Sequence, residues 1–157
     1  MAVEVRQLEE KDVAEVLAMA RAMHAESPEY RDMDFSDEKV CRMLRAMCGT
    51  LLVPASTCAL VAEEGGKLIG MMGGFAVEHF FGHDKTASDY VLYVRPEHRR
   101  GTAAVRLIRQ FEKWAIAQGV RTIVPSVTTG TNNEVASGLY AKLGYERNGY
   151  THIKRVK

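Results

Sequence analysis

The sequence predicts an α/β fold on a mixed sheet, with the element order β-α-α-β-β-β-α-β-α-β. Three observations carry that prediction. The segment Ala87 to Val94 is an almost unbroken apolar run of strand length, as a central strand covered on both faces must be. Gly65-Gly66 joins two β-patterned segments, Cys58 to Glu63 and Lys67 to Val77, in the manner of a hairpin. Helical periodicity then flanks these strands on either side in sequence, which supplies the helices to cover them.

The elements follow in order. Val3, Val5 and Leu8 alternate with polar residues and read as a short strand. Val13, Val16, Leu17, Ala20 and either Met23 or His24 recur at helical spacing and give the first helix. Glu26 to Phe35, with Ser27-Pro28 and mixed charges, is a loop. Ser36 followed by Asp37 and Glu38 has N-cap chemistry, and Val40, Met43, Leu44 and Met47 form the apolar side of a second helix that Gly49 ends. Gly70, Gly73 and Gly74 in the second hairpin arm mark a bulge or a close backbone approach. Phe80 to Thr86 is a turn. After Ala87 to Val94, a helix places Ala104, Leu107, Ile108, Phe111 and Ala115 on one face, with Trp114 at its edge and Gly119 at its end. Arg121 to Val127 is a strand, Thr128 to Asn132 a loop, and Glu134 to Leu143 a short helix ended by Gly144. Tyr145 to Val156 has the length of one strand or a bent pair.

Length and composition bound the function. The 157 residues, of which 46% are hydrophobic, suit one domain with a substantial core, and no repeat or linker divides them. A formal net charge of +1 argues against a nucleic-acid binder. No apolar run reaches the ~20 residues that cross a bilayer, and Met1 to Leu8 lacks the apolar core of a signal peptide. Cys41, Cys48 and Cys58 are odd in number and form no C-x-x-C pair, so they read as buried thiols rather than a disulfide framework or zinc site. The expectation is a cytoplasmic domain without a metal.

The chemistry centres on Tyr93-Val94-Arg95-Pro96-Glu97-His98-Arg99-Arg100-Gly101-Thr102-Ala103-Ala104. A strand ends at a proline, a basic turn follows, and a helix begins. The free N–H groups of that helix start and two guanidinium groups converge beside a strand end, an arrangement that binds a phosphorylated anion. The turn is neither a nucleoside-triphosphate loop nor a dinucleotide fingerprint, because it lacks Gly-Lys-Ser/Thr and G-x-G-x-x-G. Pro125 in the following strand has no N–H for a ladder bond. Either it ends that strand, or the two strands diverge there and leave Val94 free to bond an extended ligand.

Together with the downstream run Asn133-x-x-Ala136-x-x-x-Tyr140-x-x-x-Gly144-Tyr145, this turn resembles the GNAT superfamily of N-acyltransferases, most firmly between Ala87 and Tyr145. The resemblance implies a GNAT-like fold and acetyl-coenzyme A as cosubstrate. It implies that Arg99, Arg100, Gly101, Thr102, Ala103 and Ala104 hold the pyrophosphate and that the backbone of Leu92, Tyr93 and Val94 pairs with the pantetheine amides. It places Asn133 near the cofactor and makes Tyr140 the general acid that protonates the leaving thiolate. Thr102 stands where the family usually has a glycine, and its Cβ narrows the approach to the backbone. The family often forms homodimers through its C-terminal strands.

The acceptor implied is a primary amine of a small molecule or peptide. A glutamate early in the central strand is the family's frequent base, and here that place is held by Ser88, with Asp89 beside it on the opposite face; Glu78 and His79 are the other candidates. A lysine amine costs roughly 4.6 kcal/mol to deprotonate at pH 7, against about 1 kcal/mol for an α-amine. The lack of an evident base favours a low-pKa amine or a water-relayed proton. The acidic loop residues Glu26, Glu29, Asp32, Asp34, Asp37 and Glu38 suit a cationic acceptor or are ordinary solvated charge. Met71, Met72, Phe75, Phe80 and Phe81 line an adaptable pocket or belong to the core. A coenzyme A-binding module without turnover is the alternative reading of the same residues.

Overall fold

The computed structural model describes residues 1–49 and 56–156. The strands are β1 (Glu4–Gln7), β2 (Thr57–Glu64), β3 (Lys67–Glu78), β4 (Lys85–Val94) and β5 (Val120–Ile123). The helices are α1 (Val13–Glu26), α2 (Asp37–Met47), α3 (Ala103–Ala117) and α4 (Asn133–Lys142). The strands lie in sequence order, β1 to β4 antiparallel and β5 parallel to β4. The mixed sheet therefore forms as the sequence predicts.

Each face of the sheet buries its own helices. Val13, Val16 and Met19 of α1 and Leu44 and Met47 of α2 pack on Ala59, Val61, Leu68, Met71 and Tyr93. Leu107, Ile108, Phe111 and Ala115 of α3, with Tyr140 of α4, pack on Cys58, Leu60, Ile69, Met72 and Ala87 from the other side. Burying each large apolar side chain contributes ~1.5–3 kcal/mol. Trp114 lies 3% exposed within this second cluster, so the expectation that it sits at the helix edge is corrected. The α3 helix is apolar around more of its girth than the stripe implied.

The Gly65-Gly66 turn has φ of +59° and +78°, a pairing that L side chains rarely adopt and that matches the twist of the hairpin it joins. Further along β3, the register against β4 shifts between Gly73 and Gly74, which leaves Tyr90 of β4 as the extra residue of a bulge. Gly74 is there for space. A Cβ on it falls 2.4 Å from the Ser88 carbonyl oxygen and 2.6 Å from the Phe111 ring.

Several expectations are corrected. No strand forms over residues 145–156, so the last β of the predicted order is absent. A segment of strand length pairs only where an apolar face and a ladder edge receive it, and Tyr150, Ile153 and Val156 of this segment are exposed. β5 stops at Ile123 instead of reaching Val127. Strand β4 starts two residues earlier than its apolar run, because Lys85 and Thr86 pair with Glu78 and Val77 whatever their polarity. Phe80 and Phe81 are exposed on the β3–β4 turn and belong neither to the core nor to a pocket. Of the cysteines only Cys58 is buried; Cys41 and Cys48 lie at the rim of α2.

Gly74→Ala is expected to destabilise the fold by ~1–3 kcal/mol, because one of the clashing atoms is backbone and cannot rotate away. Thermal unfolding followed by circular dichroism checks this, with a fall of several degrees expected; an unchanged midpoint contradicts the close approach of α3 to β3.

Candidate active site

Strands β4 and β5 pair only over Lys85, Thr86 and Ala87, and then part. Val124 still donates its N–H to the Ala87 carbonyl at 2.8 Å, and the Ser88 hydroxyl donates to the Val124 carbonyl at 2.8 Å. The next residue is Pro125, which has no N–H to give. One step further, the Ser126 N–H donates at 2.9 Å to Oδ1 of Asp89 instead of to a backbone carbonyl. β5 therefore ends just before Pro125, the edge of β4 beyond is left without a strand partner among the described residues, and an aspartate side chain spans the opening of the gap.

Beyond that point no strand lies beside the outer edge of β4 among the described residues. Arg95 donates its N–H to the Ile69 carbonyl at 2.8 Å. By the alternation of an antiparallel ladder, the peptide groups of Tyr93 also face β3, while those of Leu92 and Val94 face the gap. Sequence grouped the three together, and the register separates them.

At the mouth of the gap the turn Pro96–His98 leads through Arg99 to Gly101 into α3. Thr102 is the N-cap at φ −93°, ψ −3°, and its side chain makes no capping bond. The first free amides of α3, from Ala103 onward, thus have no side-chain acceptor, which leaves the positive end of the helix open to an anion. The threonine needs no glycine conformation here.

The two arginines do different work. Arg99 donates Nε–H to the Val94 carbonyl at 2.9 Å, pairs with Glu26 at 2.5 Å, and lies over the Tyr93 ring at 5.5 Å. It ties the end of α1 to the end of β4. Arg100 is exposed and forms no ion pair among the described residues. Asn133 accepts the Gly130 N–H at 3.0 Å and so shapes the loop that enters α4.

That loop is fastened to the α1–α2 loop. The buried Ser27 hydroxyl donates to the Thr129 carbonyl at 2.5 Å, and Tyr30 and Thr128 share a hydrogen bond at 3.1 Å. Sequence reasoning missed this clasp, since its partners are about a hundred residues apart. Of the acidic loop residues, Glu26 is taken by Arg99, Glu29 by Arg155 and Asp37 by Arg21.

Tyr140 of α4 packs in the core on the α3 side of the sheet, near enough to Asp89 to feel its charge. Its ring is 6% exposed, and its hydroxyl is buried without a hydrogen-bond partner among the described residues. A buried hydroxyl normally finds a partner, and this one, like the Trp114 indole N–H, has none among the described residues. Burial first, then the charges of Asp89 and Tyr145, raise its pKa above the ordinary tyrosine value. Tyr145 meets its ring edge-on at 5.2 Å. The other base candidates fare differently. The Ser88 hydroxyl is spent on Val124, and Glu78 and His79 stand at the opposite end of β4, where His79 stacks on Phe80 and Phe81. Asp89 alone of the four shares the gap with Tyr140. No cluster of metal-binding side chains occurs among the described residues, and no helix there is long and apolar enough to cross a membrane.

The site thus combines an uncapped helix start, a gap in the sheet between β4 and β5, and a buried tyrosine near Asp89. The pattern of the Acetyltransferase (GNAT) family matches residues 17–145. The chain belongs to the GNAT acetyltransferase family. It is 28% identical over 116 residues to human N-acetyltransferase 8, covering 74% of this chain and 50% of that protein. It is 32% identical over 114 residues to mouse N-acetyltransferase family 8 member 3, covering 69% and 48%. The chain thus spans about half the length of the curated relatives it matches. Among solved structures it resembles an aminoglycoside acetyltransferase from an uncultured soil metagenomic sample, at 25% identity and a TM-score of 0.72 over the whole of both chains. Glucosamine-6-phosphate N-acetyltransferase from Arabidopsis thaliana shares the fold at a TM-score of 0.75 and 14% identity, covering the whole of both chains.

Tyr140→Phe removes an unsatisfied buried hydroxyl and is expected to raise stability by ~1 kcal/mol, or 2–4 °C in melting temperature. A calorimetric melt that instead falls by that much contradicts the unpartnered hydroxyl.

Proposed function

We propose that this chain transfers the acetyl group of acetyl-coenzyme A to a primary amine of a small molecule or peptide, with Tyr140 as general acid. The observation that carries the reading is the Tyr140 hydroxyl, buried and unpartnered beside the gap between β4 and β5. A binding module has no use for such a group, whereas a leaving thiolate needs its proton.

The fit of the cosubstrate is tested by three features of this chain. Its diphosphate meets the open amides that begin α3 at Ala103 and Ala104, with Gly101 and Thr102 in the exposed turn and Arg100 free to add charge. Its extended pantetheine arm suits the Leu92 peptide groups and the Val94 N–H, which take it as a sheet edge takes an added strand, while Arg99 holds the Val94 carbonyl. Arg99, Tyr93 and Asn133 serve the same site by holding its walls. Each of these assignments places one end of an elongated thioester at α3 and the other near Tyr140.

Direct transfer then needs three things from the protein. The acceptor nitrogen must be neutral when it attacks, the carbonyl must be held against it, and the departing sulfur must gain a proton. The relatives support an amine acceptor by what their names say of them. One acts on aminoglycosides and another on glucosamine-6-phosphate. The partly paired acidic loop of this chain, with Asp32, Asp34 and Glu38 in no ion pair among the described residues, suits an acceptor that carries positive charge.

Release of free thiol from acetyl-coenzyme A over a panel of primary amines tests the reaction. The wild-type chain is expected to release thiol with at least one amine, and Tyr140→Phe is expected to lower kcat by ~10²-fold or more while coenzyme A still binds. Binding without thiol release for every amine favours the module, and full turnover by the phenylalanine variant removes Tyr140 from the mechanism.

A further inference from the structure

The bulge in β4 changes the opposite face of the sheet, in a way the acetyl-transfer reading leaves unused. Asp89 pairs with Gly74, and a Cβ on Gly74 would meet the Phe111 ring of α3, so Asp89 stands on the α3 face. Strict alternation would then turn Tyr90 to the α1–α2 face and Val91 back to α3. The register shift between Gly73 and Gly74 breaks that alternation. Tyr90 and Val91 both line one cavity of about 30 Å³ on the α1–α2 face, with Met43, Leu44, Met71 and Gly73 around it. Among the described residues every side chain that lines it, except that of Tyr90, is apolar.

The mouth of this cavity is apolar as well. Tyr90 is 53% exposed and Met43 is 43% exposed, and the Phe75 ring meets that of Tyr90 at 4.8 Å. Apolar and aromatic groups gathered in water beside a hollow mark a binding surface. Methionine walls are adaptable, so a hollow that is small when empty can lengthen around a guest.

Its position ties the cavity to the gap. Tyr90 directly follows Asp89, which holds the Ser126 N–H where β5 leaves. The edge of β4 beyond that point has no strand partner among the described residues, so a molecule held in the gap can pass around it. At the other end of the gap the α1–α2 face is spanned by hydrogen bonds. Arg99 joins Val94 to Glu26 there, and Ser27 and Tyr30 bond to Thr129 and Thr128. The way from the gap to the α1–α2 face therefore lies at Tyr90.

We propose that this cavity is the subsite for the apolar part of the acceptor, and that Tyr90, Phe75 and Met43 make the chain select primary amines that carry an unbranched alkyl or arylalkyl group. This rests on the acetyl-transfer reading of the site. The amine nitrogen stays in the gap, and its tail crosses the edge of β4 at the bulge with the Tyr90 ring as one wall. Withdrawal of that tail from water drives the choice. A polyhydroxylated acceptor gains nothing there, because only the Tyr90 hydroxyl among the lining side chains can answer its hydroxyl groups.

The test is thiol release from acetyl-coenzyme A with ethylamine, butylamine and hexylamine, whose amino groups are nearly equal in basicity, so that only the tail differs. In the wild type kcat/KM is expected to rise about 3- to 4-fold per added methylene until the cavity is filled. Gly73→Ala puts a methyl group beside Met47 and Val91, at 3.6 and 3.7 Å, where it fits without a clash and takes up part of the space. It is expected to lower the hexylamine-to-ethylamine ratio of kcat/KM at least ~3-fold. Tyr90→Ser removes a wall and is expected to lower the same ratio ~10-fold. A wild-type kcat/KM that does not rise with chain length, or a ratio that both variants leave unchanged, overturns the proposal and spares the acetyl-transfer reading. So does a chain that acetylates other primary amines and none of these three. The wild-type series decides alone where a variant does not fold. Failure of the wild type to release thiol with any amine overturns both.

Discussion

A proline with no N–H and an aspartate that fills in for a strand govern this molecule. Parallel strands β4 and β5 are held together only up to the Ala87 carbonyl. At Pro125 the ladder runs out of donors, and the Asp89 side chain takes the next N–H instead. On β4 itself the bulge at Tyr90 adds local twist just where the partner leaves. The sheet opens there because its hydrogen bonds cannot continue, and the gap between β4 and β5 follows from that local shortage.

An open sheet edge is a liability unless something covers it. Here the ends of the gap are pinned. Arg99 spans Val94 and Glu26, joining β4 to the end of α1. The Ser27 and Tyr30 bonds fasten the same end of α1 to the loop before α4. Gly74 brings α3 close enough to the sheet for Phe111 to pack on it. Two faces of buried helices, α1 and α2 against α3 and α4, thus hold a sheet that is incomplete between its last two strands. The unpartnered Tyr140 hydroxyl lies close enough to Asp89, at the parting of β4 and β5, to feel its charge.

Much of this was legible in the sequence because it depends on local rules. The apolar run Ala87 to Val94, the Gly65-Gly66 hairpin and the helical stripes place the sheet and most helices. The Arg99 to Ala104 turn and the Tyr140 run carry the family resemblance and its implied chemistry. Other features were illegible because they depend on partners far along the chain. The length of residues 145–156 gave no sign that no edge receives them. Arg99 reads as a phosphate ligand until Glu26 and the Val94 carbonyl are seen beside it. Asp89 and Ser88 are neighbours in sequence, yet only the parting of β5 decides that one hydroxyl is spent on Val124 while the carboxylate stays in the gap.

Hydrogen exchange of the backbone amides of Leu92 and Val94 measures the gap directly. Those two N–H groups face the gap and Tyr93 faces β3. In the free protein Leu92 and Val94 are expected to exchange faster than Tyr93, and saturating coenzyme A is expected to slow both at least ~10-fold. Equal protection of all three in the free protein, or no slowing on addition of coenzyme A, contradicts an open strand edge that receives the ligand.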